Sequence, residues 1–155
     1  ASDVYKRQLR DRMYGILGSM NKQGFKCAVL GHPGGEHLDA YKDRYAKDFS
    51  TALNNTKIAV TCTGAPNSRY GKYVEIPMCG TAIAGDIPGE DQENFRKFVI
   101  EINMDMSDEE IVEKLKRYVE SDEERNELIK RGQEWSADYT QERYAERFVE
   151  ILEIL

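Results

Sequence analysis

Apolar positions change period repeatedly along this 155-residue chain, and the alternation predicts helices and strands in turn. Leu9 to Asn21 reads as a helix and Phe25 to Leu30 as a strand. From about Asp39 to Asn54, Tyr41, Tyr45, Phe49 and Leu53 recur at i, i+4 steps, which places them on one helical face. Lys57 to Cys62 predicts a second strand, Tyr70 to Met78 a helix, and Thr81 to Ala84 a short apolar strand of the buried parallel kind. Gly80 supplies the left-handed residue that ends the helix before it. Asp91 to Lys97 reads as a short helix before a fourth strand, Phe98 to Ile102.

The last third reads as helix throughout. Ser107 with Glu110, and Ser121 with Glu124, fit the reciprocal capping box that starts a helix. Leu115, Val119, Leu128, Ile129 and Trp135 supply the buried side, and Thr140 caps a final helix whose Tyr144, Phe148, Ile151, Leu152 and Leu155 form an apolar stripe. The whole pattern predicts an α/β fold, a parallel sheet with helices on both faces and a helical C-terminal tail, packed as one domain. Ligands bind such sheets beyond the C-terminal strand ends. The loops expected there are Gly31-His32-Pro33-Gly34-Gly35, Thr63 to Ser68, and Asp86-Ile87-Pro88-Gly89.

The first eight residues, ASDVYKRQ, coincide with the translation of a transposon-end adapter used to prepare sequencing libraries, and are expected to be a scar. Leu9 is then expected to be the first native residue, inside an element that continues upstream, and residues 9–155 form the folded domain.

Charge divides unevenly. The net charge of −6 argues against non-specific nucleic-acid binding. Leu9 to Gly85 carries 10 Lys/Arg against 6 Asp/Glu and Asp86 to Leu155 carries 10 against 21, so the halves stand at about +4 and −11. The positive half holds the loops where an anionic small ligand is expected. Cys27, Cys62 and Cys79 lack metal-ligand spacing and read as reduced thiols of a cytoplasmic protein. No apolar run approaches the ~20 residues of a transmembrane helix. A Walker loop, a GxGxxG turn, a Cys/His ligand cluster and a serine-nucleophile elbow are all absent from the sequence, so no metal is indicated.

The segment Asn67 to Asp86, NSRYGKYVEIPMCGTAIAGD, concentrates the candidate chemistry. Glu75 lies on a short helix beside the expected crevice, where a carboxylate accepts hydrogen bonds from the vicinal hydroxyls of a ribose; an isolated helical Glu is otherwise surface decoration. Arg69 and Lys72, in the first turns, carry the charge that neutralises a diphosphate, or are ordinary solvated cations. His32 stands in a loop at the ligand edge and reads either as a ligand contact or as polar surface. Asn67 or Ser68 reads equally as a plain N-cap. Asp86 either caps the next turn or faces the ligand.

YVEIPMCGTAIAGD resembles the nucleotide-sugar-binding C-terminal domain of the group 1 glycosyltransferases, which have the two-Rossmann-domain GT-B fold. Their signature places a Glu at the head of a small-residue helix that ends in Cys-Gly-Thr before a buried strand. The likeness continues through DEEIVEKLKRYVESDEERNELIKRGQEW and YTQERYAERFVEIL, covers most of Phe25 to Leu155, and is closest to the spore-protein-like branch. It implies a Rossmann-like domain that is one half of a GT-B enzyme, a nucleoside-diphosphate sugar as donor without a further cofactor, and a glycan, lipid or protein acceptor held by a domain upstream of Leu9. It implies a location in the cytoplasm or at the inner membrane face. The resemblance gives Glu75 the donor ribose; beside it, the residues themselves put Arg69 and Asn67 forward as catalytic candidates and Ser68, Lys72 and His32 as further donor contacts. One position departs: relatives with the paired-Glu signature have a second Glu eight residues before the ribose-binding one, and here that residue is Asn67. An amide can hydrogen-bond a sugar or phosphate oxygen, but supplies no negative charge to an oxocarbenium-like transition state. A non-catalytic Rossmann-like binding module and a nucleotide-sugar epimerase of the same architecture stand as alternatives.

Overall fold

The structure, a computed structural model, describes residues 8–29, 47–64 and 67–154. It begins with helix α1 (Gln8–Lys22), and residues 47–54 are helical. Strand β1 (Ile58–Val60), helix α2 (Lys72–Met78), strand β2 (Ala82–Gly85), the one-turn helix α3 (Gln92–Phe95) and strand β3 (Val99–Glu101) alternate after that. Helices α4 (Asp108–Glu120) and α5 (Asp122–Ser136), a 3-10 turn (Ala137–Tyr139) and helix α6 (Gln141–Ile154) complete the chain.

The three strands form a parallel sheet in the order β1-β2-β3, with Ala59 opposite Ile83 and Ala84 opposite Ile100. Successive side chains point to opposite faces, so the sheet builds two cores. Cys62, Ala82, Ala84, Ile100 and Ile102 pack on one face against Leu9, Met13, Ile16 and Met20 of α1 and Ile111 and Leu115 of α4. On the other, Ile83 and Val99 meet Leu53, Tyr73, Ile76, Ile87, Phe95 and Phe98, with Phe49 and Trp135 at the margin. Full burial of each large side chain stabilises by about 1.5–3 kcal/mol. The expected α/β architecture with helices on both faces is what forms.

Local signals explain where elements stop and start. The Gly80 N–H bonds the Pro77 carbonyl at 2.9 Å and the Thr81 N–H reaches Ile76 at 3.4 Å, a Schellman closure that needs the φ of +69° glycine gives. Ser107 and Glu110 form the full capping box. At the next boundary the Ser121 hydroxyl takes the Glu124 N–H at 3.3 Å, but the expected reciprocal box does not form, because both Glu124 carboxylate oxygens accept from Arg117 at 2.8 and 2.9 Å; Thr140 receives the Arg143 N–H at 3.2 Å. Arg125, nearly buried, donates to the Tyr118 and Val119 carbonyls at 2.8 and 3.0 Å and closes the end of α4.

Other expectations differ as well. Residues 25–29 join no strand: the Asn21 side chain takes both backbone groups of Cys27, at 2.8 and 3.0 Å, so they are not offered to a ladder. Leu30 lies outside the described residues, as do Tyr41 and Tyr45 of the following stripe. The final helix keeps its apolar stripe but buries none of it, Tyr144 being 74 % exposed and Phe148, Ile151 and Leu152 54, 58 and 55 %.

Candidate functional site

Strands β1 and β2 run the same way, so the loops leaving their C-terminal ends lie side by side and polar residues join them. The Thr63 N–H donates to Asp86 Oδ1 at 2.8 Å and its hydroxyl to Oδ2 at 2.5 Å. The Tyr73 hydroxyl lies 2.6 Å from the Asp86 carbonyl and 3.1 Å from Oδ1. Burial, and then the Asp86 charge, push the Tyr73 phenol far up from its ordinary value, so it remains a neutral donor. Asp86 therefore serves the framework, tying one loop to the other. Sequence reasoning left its role open, because its main partner stands 23 residues away on another strand end.

Further out, Asn67 closes a tight turn. Its N–H bonds the Gly64 carbonyl at 2.7 Å, its own carbonyl accepts the Gly89 N–H at 2.7 Å, and its φ is +66°, a conformation Asn tolerates better than most residues. The Ser68 carbonyl accepts the Gly64 N–H at 2.8 Å. Neither residue caps α2: the N-cap position is Gly71, without a side-chain cap. Asn67 and Ser68 are thus loop residues at the sheet edge, and Asn67 sits against Gly89 of the second loop.

Arg69 is held differently. Its backbone N–H donates to Glu90 Oε1 at 3.2 Å and its Nε stands 3.4 Å from the same oxygen. Its guanidinium lies over the Tyr139 ring at 4.4 Å and 5.7 Å from the Trp135 ring, and Nη1 is buried without a hydrogen-bond partner. Lys72 and Glu75 form a pair in the first turn of α2, Nζ to Oε2 at 2.6 Å, with the ammonium 3.8 Å over the Phe49 ring. Glu75 is half exposed, and a Cβ at Gly71 would come within 3.0 Å of its Oε1.

The structure therefore brings Glu75 and Lys72 together, groups Asn67 and Ser68 in the turn before α2, and sets Arg69 on an aromatic platform. His32 lies outside the described residues. Trp135, Tyr139 and Glu90 join the site unannounced by the sequence, because each meets Arg69 only in the folded chain. Burial raises all three thiols, so none is an activated nucleophile. Among the described residues, no group of three or more His, Cys, Asp or Glu is arranged to hold a metal ion, and no helix is long and apolar enough to cross a membrane.

Residues 7–153 match the family model described as "Glycosyl transferase-like". No curated protein and no solved structure matches the chain.

Proposed function

The chain belongs to the glycosyl transferase-like family, and we propose that it is the donor-binding part of an enzyme that moves a sugar from a nucleoside diphosphate to an acceptor. Family membership supports a transferase that uses a sugar donor and an acceptor. The donor class rests on one observation: a half-exposed carboxylate, Glu75, anchored by Lys72 in the first turn of the helix that follows β1.

In this reading Glu75 accepts the two ribose hydroxyls of the donor. Lys72 orients that carboxylate through its bond to Oε2 and adds positive charge beside the diphosphate. Arg69 is the second cation. As an acceptor oxygen or nitrogen bonds to the sugar carbon and gives up its proton, the bond from that carbon to the phosphate oxygen breaks, the diphosphate leaves with the electron pair, and cations aimed at it stabilise the charge that develops. Asn67 and Ser68 hydrogen-bond sugar or phosphate oxygens, and His32, outside the described residues, is given a further donor contact on its sequence position alone. The neutral Asn67 amide leaves positioning and leaving-group stabilisation as the principal catalytic effects. The acceptor, a glycan, lipid or protein, is held by a second unit.

Calorimetric titration with uridine and guanosine diphosphates tests this. Wild type is expected to bind one of them, and Glu75→Ala to bind it about tenfold more weakly or worse, the scale of losing hydrogen bonds to a charged group. Equal affinity in the two proteins removes Glu75 from the site.

A further inference from the structure

Five N–H donors make a guanidinium demanding, yet Arg69 spends few of them on the protein. Glu90 approaches Nε at 3.4 Å and Nη1 is enclosed without a partner. What fixes the group is stacking: the Tyr139 ring lies 4.4 Å from its carbon, and Trp135 backs Tyr139 with ring centroids 4.5 Å apart. Trp135 is itself anchored twice, through Nε1 to Asp91 Oδ2 at 3.0 Å and by Phe95 and Phe98 at 4.8 and 5.2 Å. A cation packed against an aromatic ring keeps donors for something else, and a guanidinium N–H suits an oxygen of an anion.

We propose that Tyr139 is a positioning residue for anion binding: its ring, braced by Trp135, holds the Arg69 guanidinium with Nη1 turned into the protein and the side chain still 29 % exposed, so that its remaining donors meet a diphosphate. This deepens the donor-binding reading and rests on it. The residue that sets the cation's orientation comes from the turn before the terminal helix, outside both strand-end loops.

Titration of the full chain with uridine diphosphate, guanosine diphosphate and inorganic pyrophosphate separates the possibilities. Tyr139→Phe retains the ring face and is expected to match wild type. Tyr139→Leu keeps apolar cover but has no π-face, and is expected to weaken binding by about two- to fivefold, the range of an exposed cation–π contact. In an Arg69→Ala background, Tyr139→Leu is expected to add nothing. Melting curves for each variant confirm that the fold is retained. Wild-type affinity in Tyr139→Leu, or the same weakening with Arg69 absent, overturns the proposal. If pyrophosphate binds and follows this order while neither nucleotide does, the donor reading falls and the Tyr139 role stands; if none of the three binds, both fall.

Discussion

Thr63 and Asp86 form a two-point bracket, each oxygen of the carboxylate accepting one donor of the threonine, at 2.8 and 2.5 Å. The bracket joins the ends of neighbouring parallel strands where the sheet's own ladder has stopped. Removing the hydroxyl in Thr63→Val leaves a charged, part-buried oxygen short of a donor, and costs about 1.5–3 kcal/mol. Denaturant unfolding is expected to show that loss at neutral pH; an unchanged midpoint would mean that the bracket contributes nothing.

Gly85 sits under the same bracket. A Cβ there would stand 2.7 Å from the Thr61 carbonyl oxygen and 3.0 Å from the Tyr73 hydroxyl, and the first of these is backbone that cannot swing away. Gly85→Ala is expected to destabilise by about 1–3 kcal/mol, as overpacking does, read as a lower melting temperature.

Gly71 separates stability from binding. Its φ of −50° suits any residue, so Gly71→Ala meets no backbone strain and is expected to leave the melting temperature unchanged or slightly raised. The new methyl would crowd Glu75 Oε1. Nucleotide affinity is therefore expected to fall without loss of fold, and titration beside a melting curve checks both halves.

Acid sensitivity is expected to concentrate at the helix starts. The Ser107 backbone N–H, at 2.6 Å from Oε2, holds the Glu110 carboxyl below its ordinary value. Hydrogen bonds from Arg125 and Arg117 do the same for Asp122 and Glu124. A carboxyl whose pKa is lower in the folded state stabilises above its unfolded value and loses that contribution as pH falls through the folded one. The melting temperature is expected to drop on acidification from pH ~5 through and below the ordinary carboxylate range near pH ~4. Glu110→Gln should flatten part of that slope; an identical slope would remove the capping box from the account.

The terminal helix buries none of its described residues in the domain, so chain termination after Thr140 is expected to change the unfolding free energy by no more than about 0.5 kcal/mol, read as a nearly unchanged melting temperature. A large drop would mean that the exposed stripe supports the fold after all.

Much of this architecture is legible in the sequence because its signals are local. The apolar run at β2, the glycine after α2 and the serine caps each act within a few residues, and each element forms where that chemistry puts it. The first strand reads wrongly because Asn21, just upstream, satisfies the backbone that a sheet would otherwise use. The tail stripe shows amphipathicity but not what covers it. Glu75 and Lys72 share one turn and are readable together, whereas the platform under Arg69 comes from Trp135 and Tyr139, far along the chain, and appears only once α5 has folded against α2 and β2.

Gly89 to Asn67, Glu90 to Arg69 and Asp86 to Thr63 couple the two strand-end loops at three successive levels. The described residues of the two loops tied this way are expected to shift together, like an anvil rather than a pair of jaws. On the donor-binding reading, a ligand then loses little conformational freedom on association at these tie points, and the accommodation a bulky guest requires falls to the parts around that anvil.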